Sequence, residues 1–474
     1  MCHLSHFHGE NTGSIPVGVT ILISQHLFRP DLAPSAFAPK WRSVYPSVMI
    51  MRFLLSALLL LAQPVSAQLP PAQPVFEQPA PAQLSQLDPA RPGWSNAAAS
   101  DLLEAVRASG AEGLSPADFA ENALAAALRS ADPQAIANAA TRSYLSLARA
   151  YLQGQTPGSA RREWHLSVPK AEPTMLQMTM DLALRSDTVR QSLEAMLPTH
   201  PHYAALKESL AATTDPGMRA TLRANMDRWR WMPRRLGETH ILVNVPTFEL
   251  ELVRDGEIIA THRIIVGKKQ TPTPQFSTVA TGVILNPPWV VPQSIIRESV
   301  GSLIRRSPST ARARGYTWTS NGGLSVTQNP GPGNALGQMK IDMPNPYAIF
   351  LHDTPSKALF DRKVRAFSHG CIRTHRALDF AGTLLADVPG WGAARIAQVV
   401  QTRETTKVPL ARQIPLHVVY FTALPGPEGK ILIHPDIYGR DAPVIESLAK
   451  DASDADQLVL AEHDCHTEMP NRPA

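Results

Sequence analysis

The chain has 474 residues, room for two or three domains, and 44% of them are hydrophobic, which is enough for packed cores. This composition excludes disorder for most of the chain. Charged residues make up 18% and the formal net charge is +5, without the run of Lys and Arg that a nucleic-acid-binding arm would need. Nucleic acid is therefore not expected as a partner, and the small positive excess fits ordinary solubility.

The first candidate element runs from Met51 to Ala67. Arg52 places one positive charge ahead of an apolar stretch that ends at Ala62 and is too short to span a bilayer as a helix. The small residues at 65–67 match the recognition sequence of a signal peptidase, so cleavage is predicted between Ala67 and Gln68. We interpret residues 51–67 as a secretory signal peptide. It predicts a periplasmic protein with no stable membrane span after cleavage.

The segments on either side of this signal lack periodicity. Met49 or Met51 would be a better start, so we interpret residues 1–50 as a wrongly assigned start region. Residues 68–94 are rich in proline and are interpreted as a linker. The same prolines argue against the alternative for the apolar run, a short buried core helix.

Residues 95–236 have a helical pattern. Asp132-Pro133 is an N-cap followed by a first-turn proline, and Asp215-Pro216 repeats this signal before a helix that Pro233 ends. Apolar residues at steps of three and four follow the first cap: Ile136, Ala140, Tyr144, Leu147 and Tyr151. These stripes predict a helical domain whose apolar residues are core.

Residues 237–447 change to a period of two. The runs 241–245, 248–253 and 258–266 are strand-like, and Asp255-Gly256 between the last two is a hairpin signal. More strands are predicted at 279–285, 338–341, 347–351, 414–421 and 430–434, with one helix after Arg373. The fold class is therefore α+β: a helical domain, then a mostly β domain built as a sandwich or barrel-like sheet. Residues 448–474 read as a polar tail.

Removal of the signal would leave two cysteines, Cys371 and Cys465. An exported protein could join them in a disulfide, but one bridge adds little to a domain of this size and Cys465 lies in the polar tail. We interpret Cys371 as a free thiol.

The segment around Cys371 carries the chemistry. His352 precedes it, and Cys371 itself lies in Ser-His-Gly-Cys-Ile-Arg at 368–373. A cysteine is a good acyl-transfer nucleophile only as thiolate, which needs a base, a positive neighbour or a helix N-terminus. A helix starting near Thr374 would supply the last, and N–H groups around Gly370 and Cys371 would hold an oxyanion.

Two alternatives remain open at this point. A buried structural cysteine with core histidines would look the same in sequence. His369, Cys371 and His375 would also suit zinc, although the second ligand pair that such sites usually carry has no candidate beyond Cys465 and His466.

The motif resembles the signature of L,D-transpeptidases of the YkuD type. The separation of His352 from Cys371 and the sequence at 368–373 carry the likeness. The segments at 286–292, 331–337 and 352–355 are similar to the long, YcbB-like branch, in which a helical scaffold domain precedes the catalytic domain. The segment at 228–233, Arg-Trp-Arg-Trp-Met-Pro, looks like the end of that scaffold, so the resemblance covers about residues 95–447.

The resemblance implies a role for each motif residue. Cys371 would be the acyl-accepting nucleophile and His352 the general base, oriented by the backbone carbonyl of Asp353 or, alternatively, by an acidic side chain. His369, Gly370 and Arg373 would shape the oxyanion and substrate site. Asn334 and Trp289 would be scaffold and not ligand contacts.

The reaction implied is ping-pong acyl transfer between peptidoglycan stem peptides. Cys371 would attack the third residue of a donor tetrapeptide, release D-alanine, and pass the acyl group to a diaminopimelate amine as a 3-3 cross-link. No metal or other cofactor is implied, and a carbapenem is expected as a covalent inhibitor. Water as acceptor would give an L,D-carboxypeptidase, and a protein amine a lipoprotein-anchoring enzyme. A non-catalytic wall-binding scaffold is the alternative of another class.

Two further features concern wall binding. Relatives of this branch often carry a helical peptidoglycan-binding module before the Arg-Trp-Arg-Trp segment. Here the gap between the predicted helix at 204–210 and Asp215-Pro216 is too short to hold one, so the module is expected to be absent. A stretch expected to form a lid concentrates five arginines that would contact an acidic stem peptide, or lie solvated on a loop: Arg297, Arg305, Arg306, Arg312 and Arg314.

Overall fold

A computed structural model describes residues 92–449 of the chain. The predicted start region, the signal peptide, the linker up to residue 91 and the tail with Cys465 lie outside the described residues. None of the helices within residues 92–449 is long and apolar enough to cross a membrane.

Seven helices form the first part of the described chain. Their bounds are α1 Asn96–Ala108, α2 Glu121–Ser130, α3 Pro133–Gln153, α4 Pro173–Ser186, α5 Val189–Glu194, α6 Pro201–Ala212 and α7 Pro216–Trp231. The Asp132 side chain accepts from the backbone N–H of Gln134, and the Asp215 side chain from that of Met218. Both predicted N-caps are confirmed, because each carboxylate satisfies an amide that the first turn leaves without a partner.

The predicted stripe of α3 lies in the core of this helical part. Every one of its five residues is buried, and they pack with residues of α1, α4 and α5. Residues 213–215 alone separate α6 from α7. Within the described residues, the chain between these two helices is therefore a three-residue connection.

A mixed sheet forms the second part. The strands in chain order are β1 Thr239–Asn244, β2 Glu249–Arg254, β3 Glu257–Gly267, β4 Phe276–Leu285, β5 Trp289–Val290, β6 Tyr316–Thr319, β7 Ser325–Gln328, β8 Met339–Asp342, β9 Leu351–His352, β10 Ala366–Ser368, β11 Ile372–Thr374, β12 Thr406–Val419, β13 Ala423–Pro425 and β14 Ile431–Ile433. The large sheet has the order β10-β3-β11-β9-β8-β4-β12-β1-β2, and β2 also pairs with β3. This last pairing closes the sheet on itself around its apolar core, as in a barrel.

The predicted hairpin is confirmed at Asp255-Gly256, where both residues have positive φ. The strand predicted at 347–351 is wrong over most of its length, since β9 comprises only Leu351 and His352. The Asn345 side chain bonds to the backbone of residues 343, 347 and 349 and so replaces a strand partner.

The helix predicted after Arg373 is present at Ala377–Leu384, and a second helix at Ala393–Thr402 was not predicted. It buries only Ile396 and Val399, too few residues for a visible pattern. The remaining helices are α8 Gln293–Ile295, α9 Gly301–Arg306, α10 Pro308–Ala313, α11 Ala377–Leu384, α12 Ala393–Thr402 and α13 Asp441–Ala449.

Residues 289–328 form a separate unit, called the lid segment below. A small sheet of order β5-β7-β6 packs against α8, a π-helical turn at Ile296–Val300, α9 and α10. Its apolar core is its own, and it is distinct from the core of the large sheet.

The helical part is fastened to the sheet through the end of α7. Trp229 stacks on Phe421 with ring centroids 4.5 Å apart. The buried Arg228 donates to Asp441 at 2.6 Å and to the Arg440 carbonyl at 2.8 Å. The Arg-Trp-Arg-Trp segment therefore ends the helical part, as predicted, and is at the same time its attachment to the sheet.

Candidate active site

Two adjacent parallel strands bring the predicted catalytic residues together. β9 pairs with β11 so that Leu351 lies beside Ile372 and His352 beside Arg373. Leu351 and Ile372 point into the core, so His352 and Arg373 share the opposite face. Cys371 directly precedes β11 and follows the same alternation, which places its thiol on the face of His352.

The ring of His352 is held in one tautomer. Its Nδ1 lies 2.5 Å from the backbone oxygen of Asp353. A carbonyl only accepts, so Nδ1 carries the proton and Nε2 of the neutral ring is free to take another. The contact predicted between the Asp353 carbonyl and His352 is present, and the catalytic roles of the two residues stay predictions. Burial, with the nearby Arg373 cation, lowers the pKa of His352 to about 4, so the ring is neutral at pH 7.

Asp353 is itself fixed by the surrounding strands. Its backbone N–H donates to Met339 at 2.9 Å, and its buried carboxylate accepts from the Gln338 amide at 2.9 Å and from Lys357. The side chain is thus engaged away from the ring, so the alternative of an acidic side chain as the orienting group is not realised by Asp353 here.

Cys371 is a free thiol at the edge of this cleft. Its Sγ lies 3.7 Å from the Ala348 carbonyl. Burial raises the pKa of Cys371, opposed by a backbone bond from Phe350 and by the cations Arg373 and Lys340. The resting residue is therefore a thiol beside a neutral imidazole, not a thiolate–imidazolium pair.

The start predicted for this helix, near Thr374, is wrong. Residues 372–374 are strand β11, and α11 begins only at Ala377, after Arg376 in a left-handed conformation. The helix therefore does not begin directly after the Cys371 loop, as the prediction of an N-terminus beside the thiol required.

The loop before Cys371 is tied to the end of β3. Thr273 donates to the Gly370 carbonyl at 2.8 Å, and Ser368 Oγ donates to the Cys371 carbonyl at 2.5 Å. Gly370 has φ +112°, which side chains rarely permit. Its N–H donates to Ser368 Oγ at 3.1 Å, so of the two amides predicted for the oxyanion, Gly370 already has a partner.

Lys340 is a site residue that sequence reasoning missed. It stands opposite His352 in the β8–β9 pair, and its Nζ lies 4.5 Å from the centroid of the Phe350 ring. Burial lowers the pKa of Lys340, while Asp342 and Cys371 raise it. The available signal was a lysine alternating with apolar residues in a predicted strand, which by itself points only to an exposed face.

Comparison with known proteins agrees with this geometry. Residues 238–409 match the family model described as the L,D-transpeptidase catalytic domain, YkuD, and residues 88–210 match the Scaffold domain. The sheet part of the chain therefore matches an L,D-transpeptidase catalytic domain of the YkuD type. The helical part before it matches a scaffold domain, and the α+β fold class predicted from the sequence is confirmed. The predicted domain boundaries themselves stay predictions.

A curated relative from Haemophilus influenzae, named "Putative L,D-transpeptidase", is 30% identical over 287 residues, which are 56% of this chain and 55% of the relative. The chain thus spans about half the length of that relative. Solved structures are similar to the sheet domain at low identity. An L,D-transpeptidase from Mycobacterium smegmatis is 14% identical, with a TM-score of 0.21 over 38% of this chain and 58% of that chain. An LD transpeptidase in complex with imipenem is 16% identical, with a TM-score of 0.20 over 38% and 59%.

The motif histidine of the L,D-transpeptidase domain faces the lid segment. His369 Nε2 lies 2.8 Å from Oε2 of Glu298, and Lys268 Nζ lies 3.7 Å from Oε1 of the same carboxylate. Neither Glu298 nor Lys268 was predicted as a site residue. They are 71 and 101 residues from His369, and no local pattern marks them.

The zinc alternative finds no assembled ligand set. Within residues 92–449, no group of three His, Cys, Asp or Glu side chains is placed to hold a metal ion. His369 bonds to Glu298, whereas the His375 ring lies 3.5 Å from the Arg263 guanidinium and packs on Phe360. The two histidines considered as zinc ligands, His369 and His375, therefore have different partners.

Arg373 has no carboxylate partner within 4 Å among the described residues. Burial lowers its pKa, and the charge of Cys371 raises it. Trp289 lies in β5 and Asn334 is buried, with its amide donating to the carbonyls of residues 287, 328 and 329. Asn334 is a structural residue, as predicted.

Proposed function

We propose that this protein is a peptidoglycan L,D-transpeptidase that forms 3-3 cross-links through a Cys371 thioester. The observation that supports it best is the position of Cys371 directly before β11, the strand that pairs with the strand of His352, together with the contact of His352 Nδ1 with the Asp353 carbonyl, which leaves Nε2 to accept a proton. A structural cysteine or a wall-binding scaffold would not require a base held in that tautomer.

The first half-reaction acylates the enzyme. Nε2 of His352 takes the thiol proton as Sγ attacks the carbonyl at the third residue of the donor tetrapeptide. The tetrahedral intermediate collapses by breaking the bond to the terminal D-alanine, whose amine leaves with the proton from His352. A thioester on Cys371 remains. The amide of Cys371 and the Arg373 cation are the groups that would stabilise the negative charge on the oxygen.

The second half-reaction transfers the acyl group. The side-chain amine of a neighbouring diaminopimelate attacks the thioester, gives a proton to Nε2, and forms the new amide as the sulfur leaves and is reprotonated. Water in place of the amine would make the enzyme an L,D-carboxypeptidase, and a protein amine would make it a lipoprotein-anchoring enzyme. The chemistry at Cys371 is the same in all three.

The same thioester chemistry makes Cys371 the target of carbapenems in this proposal. We expect one carbapenem adduct per chain by intact mass spectrometry, and none on Cys371→Ala. The site of action would be the periplasm, reached through the signal peptide at residues 51–67. N-terminal sequencing of the exported protein should read from Gln68.

The deciding experiment is mass spectrometry of disaccharide-tetrapeptide after incubation with the purified protein, in parallel with Cys371→Ala. Cross-linked dimers formed only by the unaltered protein would support transpeptidation, and tripeptide alone would move the proposal to carboxypeptidation. If neither product forms although Cys371 reacts normally with iodoacetamide, the donor proposed here is wrong.

A further inference from the structure

The Glu298 carboxylate of the lid segment lies between the side chains of His369 and Lys268, close in sequence to the nucleophile. One oxygen contacts Nε2 of His369 at 2.8 Å and the other lies 3.7 Å from Nζ of Lys268. Each oxygen has its own partner, which is the arrangement that a bound carboxylate prefers. The imidazole and the ammonium group therefore form a site that accommodates one carboxylate.

This site is anchored to the same backbone that carries Cys371. The Lys268 amide donates to the Ser368 carbonyl at 2.9 Å, next to the pairing of Ser368 with Gly267. His369 is two residues from Cys371, so their Cα atoms are at most about 7.6 Å apart. A carboxylate held here lies within reach of a residue that flanks the scissile bond.

Glu298, which fills this site in the structure, belongs to the lid segment and not to the large sheet. Glu298 lies in the middle of the π-helical turn at Ile296–Val300, and the lid segment has its own apolar core. Isolated π turns inside helices are often found at functional sites. The Glu298 side chain is about half exposed, and those of Lys268 and His369 are somewhat less exposed. A carboxylate in solution can therefore compete for the contact.

We infer that Lys268 and His369 form a subsite for a carboxylate of the donor stem peptide, and that Glu298 occupies this subsite until substrate displaces it. The inference rests on the proposed function and adds a charge requirement to it. The two candidate carboxylates of the donor are that of the terminal D-alanine and the second carboxylate of diaminopimelate.

The test compares three donors: the free-acid tetrapeptide, its D-alaninamide form and its diaminopimelate-amidated form. Release of the fourth residue is followed by mass spectrometry to give kcat and KM. For the unaltered protein, we expect amidation of the recognised carboxylate alone to raise KM by about tenfold, as loss of a charge-assisted hydrogen bond would. The form that is affected identifies which carboxylate is bound.

Two substitutions then assign the residues. Lys268→Met should raise KM for the free acid and remove its advantage over the affected amide. Glu298→Gln should lower KM for the free acid severalfold and leave the affected amide unchanged, because the competing charge is gone. Lys269→Met is the matched control, since this exposed neighbour should change neither ratio. Unchanged iodoacetamide reactivity of Cys371 in each variant shows that the site is intact.

Two results would overturn the inference. Equal kinetics for all three donors, with fourth-residue release intact, would leave the proposed function standing and remove the carboxylate subsite. A rise in KM for every donor on Glu298→Gln would show that Glu298 holds the lid segment and does not compete with substrate. No release from any donor would instead refute the proposed function itself.

Discussion

The resting protonation state of the nucleophile can be tested by following alkylation of Cys371 as pH is varied. An ordinary thiol has a pKa of about 8.5 and a few per cent is thiolate at pH 7. Burial raises the pKa of Cys371 above its ordinary range, while His352 has a pKa of about 4. The thiolate fraction at pH 7 should therefore lie below that of an ordinary thiol.

The pKa values of Cys371 and His352 decide whether the resting thiol is ionised. The raised pKa of Cys371 and the lowered pKa of His352 both make proton transfer from the thiol to the imidazole unfavourable in the resting enzyme. The thiolate–imidazolium pair would then be a negligible species. Alkylation should rise about tenfold for each pH unit from 6 to 8, without a plateau, because only the thiolate reacts.

The assay is incubation with iodoacetamide at each pH, followed by quantification of the Cys371 peptide by mass spectrometry. Site-resolved detection separates it from Cys465, and Cys371→Ser gives the background. A rate already level between pH 5 and 7 would refute the reasoning. It would mean that the cleft stabilises an ion pair, as in cysteine proteases whose histidine-paired thiol has a pKa of 3 to 4.

The other predictions concern single positions. Lys340→Met should raise the pH of half-maximal Cys371 alkylation by about one unit, and Lys340→Arg should not, because the arginine keeps the cation opposite His352. Gly337→Ala should lower kcat, and it should destabilise the fold by more than the about 1–2 kcal/mol that a left-handed alanine costs, because the new Cβ would overlap Asp353. Gly322→Ala is the matched control in urea unfolding, because Gly322 also has a positive φ but has open space around its Cα. Burial lowers the pKa of His200 to about 3 in the folded protein, from about 6.5 in the unfolded chain. The neutral ring therefore contributes fully to the free energy of unfolding above pH 6.5, and this contribution is lost as the pH falls toward 3. Between pH 7 and 5 this amounts to at most about 2 kcal/mol, and His200→Asn, which keeps an N-cap acceptor for α6, should reduce the pH dependence of urea unfolding.

Local rules were enough for much of the fold. The two aspartate–proline caps, the hairpin at 255–256 and the strand pattern of the sheet depend on neighbours in the chain, and the structure has them where the sequence predicts. One error came from a local side chain and the other from distant strand partners. β9 is short because the Asn345 side chain takes the backbone bonds of the residues before it, and β11 occupies the predicted start of the helix because β3 and β9 lie on either side of it.

The sequence by itself predicted the chemistry proposed for this protein, because a cysteine in Ser-His-Gly-Cys-Ile-Arg and the histidine before it resemble the signature of an acyl-transfer family. The tertiary structure decided what surrounds that pair. Lys340, Lys268 and Glu298 reach the site through strand pairing and through the lid segment. Charges act through space and not along the chain, so their effect on Cys371 and on substrate is set by the fold that brings them within a few ångströms.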